Sequence, residues 1–175
     1  MATSLNFWSR RPNQTEEDGR KVLRALIQAA RQPGFYGPGR VADTLEGRLE
    51  LIHLHGALAL ARLKAEPSLE PLAQDVVDRL FRHLDSGLRE AGVGDTSVPK
   101  RMRKIAGDFY GRAEAYAAGM AAGALAPALG RNMLGAQDAP FAQALASYAA
   151  EAAARLNAAP ASALFESSTW PAAPG

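Results

Sequence analysis

The sequence predicts an all-α protein, a single compact bundle of about six helices. Three observations predict it. Apolar residues recur at three- and four-residue spacing through four segments. Pro or Gly stands at the segment ends. Alternating apolar and polar runs joined by hairpin turns are missing.

Residues 1–14 read as a flexible polar tail. Thr15 then stands as an N-cap, with Glu16, Glu17 and Asp18 at the positive end of a helix dipole. Val22, Leu23, Leu26, Ile27 and Ala30 carry the apolar stripe, and Pro33-Gly34 stops it. After a loop rich in Pro, Gly and aromatic residues, Asp43 and Thr44 cap a second helix reaching about Leu63. Leu45, Leu49, Ile52, Leu58 and Leu63 lie near one face, with Glu46, Glu50 and His53 on another. Leu51, Leu54 and Leu60 widen the stripe, which makes this helix the expected centre of the bundle.

Pro67 and Pro71 punctuate the start of a third helix, whose stripe runs from Leu72 to Leu88 and ends at Gly92, a left-handed cap. Asp78–Arg82 and Asp85–Arg89 are candidate ion pairs one turn apart. Pro99 opens a fourth helix bearing Met102, Ile105, Phe109 and Tyr116, and Ala-rich segments at 117–134 and 139–154 complete the set. From 158 to 175, Pro, Ala and Ser predict a disordered tail, leaving 15–157 as the domain.

Composition narrows the function. With 47% hydrophobic and 22% charged residues over 175, the chain is globular and sized for one domain. A net charge of +2 argues against DNA binding or a generic nucleic-acid binder. No Cys is present, which removes disulfides, thiol nucleophiles and thiolate metal sites. No apolar run reaches the length of a membrane span, and Met1–Arg11 lacks the apolar core of a signal peptide.

No catalytic set emerges. Glu50-Leu51-Ile52-His53 supplies one Glu-x-x-His pair, but a di-iron bundle needs two, and Leu80 stands three residues before His83. His53 and His55 point to different sides of a helix, so they read as core or boundary residues rather than metal ligands. Gly37-Pro38-Gly39-Arg40-Val41-Ala42 fits a loose dinucleotide fingerprint without the strand it requires. Ser97-Val98-Pro99-Lys100 lacks the partner motifs of its hydrolase class. The reading is a non-enzyme without cofactor or metal.

The informative feature is Lys100-Arg101-Met102-Arg103-Lys104. It opens a helix where the dipole already disfavours cations by about 0.3–1 kcal/mol each. Either neighbouring acids such as Glu46, Glu50, Asp85 or Glu90 compensate it, or an anionic partner does. A second polar set, Arg40, Asp43, Glu46, Arg48 and Glu50, is expected to contain a salt-bridge network fixing the loop 33–39 on the bundle. Arg48 has no carboxylate one turn away, so its partner is expected from another helix.

Three stretches carry a resemblance. They are Gly39-Arg40-Val41-Ala42-Asp43-Thr44-Leu45-Glu46-Gly47-Arg48-Leu49-Glu50 through His55, then Leu84 through Asp95, then Val98 through Lys104 with Phe109–Arg112 and Ala115-Tyr116. Over about residues 35–150 the sequence resembles the ubiquinol–cytochrome c chaperone family. The resemblance implies an assembly factor of respiratory complex III that binds newly made cytochrome b or another respiratory membrane protein. For mitochondrial members it further implies a small partner protein and association with the ribosomal exit. The import sequence of those members is missing here, so the chain reads as a bacterial-type member, cytoplasmic or peripheral on the inner membrane. Lys100, Arg101, Arg103, Lys104, Arg112 and Tyr116 are the expected partner-binding residues. The alternative is an RNA-, ribosome- or anionic-lipid-surface module built on the same basic helix start.

Overall fold

The computed structural model describes residues 12–174, all-α as the periodicity predicts, with no strand among them. Six α-helices follow in order: α1 Pro12–Ala30, α2 Leu45–Lys64, α3 Glu70–Glu90, α4 Val98–Ala121, α5 Leu125–Leu129 and α6 Pro140–Ala158. Short 3-10 turns precede α3 and fill the C-terminal segment, and a single π turn, Gly130–Leu134, follows α5.

α2 is the axis. Every residue from 51 to 60 is buried, so the helix is covered all round by α1, α3, α4 and α6. Its start is specified locally, since the Thr44 hydroxyl accepts a bond from the Gly47 N–H at 3.1 Å. Only glycine fits at 47, because a Cβ there would run into the Ala42 carbonyl. α3 ends as predicted at Gly92, whose φ is +80°. The N–H groups of Val93 and Gly92 return to the carbonyls of Leu88 and Arg89, both at 3.0 Å, closing a Schellman cap that turns the chain into α4.

The structure corrects four expectations. α1 begins at Pro12 rather than Thr15, because proline has no N–H to lose in a first turn and its φ is already helical. The Ala-rich stretch 117–134 is two helices, not one. Gly123, at φ +64°, ends α4 with a second Schellman cap, the Ala124 N–H reaching the Gly119 carbonyl at 2.8 Å. Arg82 donates to the Asp78 backbone carbonyl instead of its carboxylate, whereas the Arg89–Asp85 pair forms at 2.7 Å.

The fourth correction concerns the tail. Residues 161–174 are packed, with Leu164 and Trp170 buried in the space between α1, α2 and α6. The Gln32 amide holds this segment twice, donating to the Pro171 carbonyl at 3.0 Å and accepting from the Ala173 N–H at 2.7 Å. The remaining part of the expected N-terminal tail, residues 1–11, lies outside the described residues.

His55 sits at the centre of this region, fully buried, its ring centroid 5.0 Å from Trp170 and 5.6 Å from Phe35. Its Nδ1 lies 2.7 Å from the Leu51 carbonyl and its Nε2 2.7 Å from the Tyr148 hydroxyl. A carbonyl only accepts, so Nδ1 carries the proton and Nε2 accepts from Tyr148. Burial lowers the His55 pKa from 6.5 to about 4, against the opposing pull of the Leu51 carbonyl. Between those values the unfolded chain binds a proton that the folded protein refuses. Stability is therefore complete above pH 6.5 and falls as the pH drops toward 4, by about 3 kcal/mol in all from the shift of 6.5 to about 4. Urea unfolding across that range is expected to show the slope, and His55→Gln to flatten it.

Candidate partner-binding groove

A groove of about 520 Å³ opens where the first half of α2, the second half of α3 and the start of α4 meet, with Tyr36 and the end of α1 at its edge. Its position follows from the caps just described. Thr44 and Gly47 set the angle at which α2 enters, and the Gly92 turn brings α4 back beside α3. Leu49, Ile52, Leu84, Leu88 and Ile105 supply the apolar lining. Leu45, 45% exposed, is one of two large apolar residues left open to solvent among the described residues. Glu46, Glu90, Arg101 and Lys104 add charges of both signs.

A buried-side ion cluster joins α2 to α4 at the groove. The Arg112 guanidinium grips the Glu50 carboxylate with two parallel bonds, from Nε to Oε2 and from Nη2 to Oε1. Asp108 stands 3.6 Å from Arg112 on its other side and takes the Lys104 ammonium at 2.5 Å. Burial lowers the Arg112 pKa, but the Glu50 bonds and charge, with Asp108, outweigh it and leave Arg112 above its ordinary range. Burial also raises Asp108, and Lys104, Arg112 and His53 together bring it below the usual carboxylate value. Behind the pair, His53 is fully buried, its Nδ1 3.9 Å from Glu50 and both ring nitrogens without a hydrogen-bond partner. This arrangement fixes two helices and presents an amphipathic surface. It holds no activated nucleophile, and among the described residues no group of three or more His, Asp or Glu side chains is placed to hold a metal ion.

The predicted partner residues separate. Arg101, Lys104 and Arg112 line the groove. Lys100 and Arg103 are exposed on α4 outside that lining and, like Arg101, have no ion pair among the described residues. Tyr116 departs from expectation. It is 1% exposed, within hydrogen-bond reach of Asn132 at 3.4 Å, and burial raises its pKa to about 12, so it belongs to the core.

The expected polar network resolves into three separate contacts. Arg40 donates to the Gly34 carbonyl at 2.8 Å and lies 5.6 Å over the Phe141 ring, contacts to a backbone carbonyl and an aromatic ring rather than a salt bridge. Arg48 pairs with Asp43 at 2.6 Å, both about half-exposed. Its partner therefore comes from the loop before its own helix rather than from another helix, because the Thr44 turn folds Asp43 back over the first turn. Glu50 goes to Arg112, and Glu46 stays exposed in the groove.

The comparisons with known proteins point one way. The sequence matches the family profile described as Ubiquinol-cytochrome C chaperone over residues 39–170. No curated protein matches it. A solved structure described as the crystal structure of the Cbp3 homolog from Brucella abortus is 41% identical and superposes with a TM-score of 0.77, covering 90% of this chain and 91% of that one. No described helix is long and apolar enough to cross a membrane.

Proposed function

The chain belongs to the ubiquinol–cytochrome c chaperone family, and from that premise we propose that it binds newly made cytochrome b in the groove between α2, α3 and α4. One observation carries this reading. The first stretch that bears the family resemblance lies about thirty residues before the other two, which are nearly continuous, yet all contribute to this groove: Leu45 and Leu49 from the first, Leu84 and Leu88 from the second, Arg101 and Lys104 from the third.

The chemistry suits such a client. A membrane segment outside the bilayer exposes apolar side chains, and the leucine and isoleucine lining offers them cover. Arg101, with no ion pair among the described residues, and Glu46 and Glu90 set which polar flanks the groove accepts. The work asked of the protein is holding and release, and no bond-making constellation is needed for it.

The test uses a photo-crosslinking residue at Glu46, with cytochrome b labelled during synthesis. The expected result is a crosslink to cytochrome b that Leu45→Glu combined with Arg101→Glu abolishes while the melting temperature holds, because both sites are exposed. Co-purification of cytochrome b with no crosslink from the groove, and full retention in the double variant, would move the binding surface elsewhere.

A further inference from the structure

We propose that a second groove, between α1 and α3, binds the phosphate headgroups of an anionic phospholipid bilayer. This site goes beyond the client groove and stands on its own geometry. It encloses about 530 Å³, and no Asp or Glu is among its lining residues.

Arg20, Arg24 and Arg31 form one wall and Arg79 and Arg82 the other. Only Arg79 is neutralised, by Asp75 at 2.6 Å. Arg20, Arg24, Arg31 and Arg82 have no ion pair among the described residues. Positions 20, 24, 27 and 31 recur at helical spacing, so Arg20 and Arg24 of α1 and Arg31 just past its end follow one face over about 16 Å at roughly 1.5 Å per residue. Leu23 and Ile27 lie between them as an apolar floor.

Like charges gathered without partners repel, and the concentration is local, since the whole chain carries only +2. A ligand bearing several negative charges in a row relieves that repulsion. All five cations are arginine, whose planar fork matches phosphate oxygens in pairs. The residues that precede α1 favour a bilayer over an acidic protein helix. They include Phe7 and Trp8, aromatic residues that membrane interfaces select and that an acidic helix does not call for, beside Arg10 and Arg11, which suit either anion. The two grooves share Arg31 and His83 in their lining, so a client held in the first lies beside the bilayer bound by the second.

The test is co-sedimentation with phosphatidylcholine vesicles, pure or with one-third phosphatidylglycerol, at about 0.1 M salt. The wild-type protein is expected to bind the anionic vesicles alone. R24Q/R31Q/R82Q should lower that binding by about tenfold or more, and R24K/R31K/R82K should keep most of it. Thermal melts of both variants report the fold, which exposed substitutions leave intact. Equal binding of neutral and anionic vesicles by the wild type overturns the proposal, as does its failure to bind either, leaving an acidic protein segment or RNA as occupant. Wild-type binding in the glutamine variant overturns it too. Loss only in K100Q/R103Q would place the lipid contact on α4 instead.

Discussion

Replacing Arg112 with methionine is expected to lower the folding stability by about 3 kcal/mol, a large share of what holds a domain of this size together. The change keeps the aliphatic length but leaves the Glu50 carboxylate, whose side chain is only 14% exposed, without its bidentate partner. Its nearest neighbour is then His53, 3.9 Å away and itself without a hydrogen bond. The unpaired carboxylate must draw in water, which costs packing between α2 and α4. Glu50→Gln in the Arg112→Met background is expected to recover part of the loss, and Glu50→Leu with Arg112→Met to come within about 1–2 kcal/mol of the wild type, since replacing both ions removes the desolvation cost. Chemical denaturation of the wild type, Arg112→Met, Glu50→Leu alone and the two combined completes a double-mutant cycle that measures the coupling. A coupling energy below about 0.5 kcal/mol would show a solvent-screened contact at the mouth of the groove.

That pair illustrates what is and is not legible in a sequence. Glu50 is visible as a polar residue on a helix, and Arg112 as a cation in a family-like stretch. Their meeting across 62 positions is a property of how α4 crosses α2, and no local pattern encodes it. Helix starts and stops are local, which is why Thr44, Pro71, Gly92 and Pro99 announce themselves. Where two local signals compete, the one with backbone geometry behind it wins. Gly123 ends α4 inside a run of alanines because a left-handed residue closes a cap there, and Pro12 opens α1 ahead of Thr15.

The candidate surfaces follow the same division. The run at 100–104 draws the eye because its charges are adjacent, and two of its cations, Arg101 and Lys104, line the groove between α2, α3 and α4. The arginines of α1 and its end escape notice because they are spread over twelve positions. Read at four- and seven-residue spacing, Arg20, Arg24 and Arg31 form a stripe, and the signal was there for a periodicity of charge as much as of apolar residues. Arg79 and Arg82, by contrast, join them only through the packing of α3 on α1.

Trp170→Ala is expected to cost about 3–5 kcal/mol, the range for emptying a buried aromatic site. The residue lies in a stretch of Pro, Ala and Ser that composition assigns to a tail, yet it is 4% exposed and closes the bundle over His55. Its indole N–H has no partner, so the loss measures packing alone, and Trp170→Phe should restore much of it. Truncation after Ala159 should cost more, because it also removes Leu164 and both bonds made by Gln32. A second readout separates packing from a general loosening. With the indole gone, water reaches His55, and its pKa should climb from about 4 back toward 6.5. The fall in stability between those pH values should then shrink in Trp170→Ala, although the variant is weaker at every pH. An unchanged melting temperature with an unchanged acid slope would return residues 161–174 to the status of a tail, and the space between α1, α2 and α6 would need another cover.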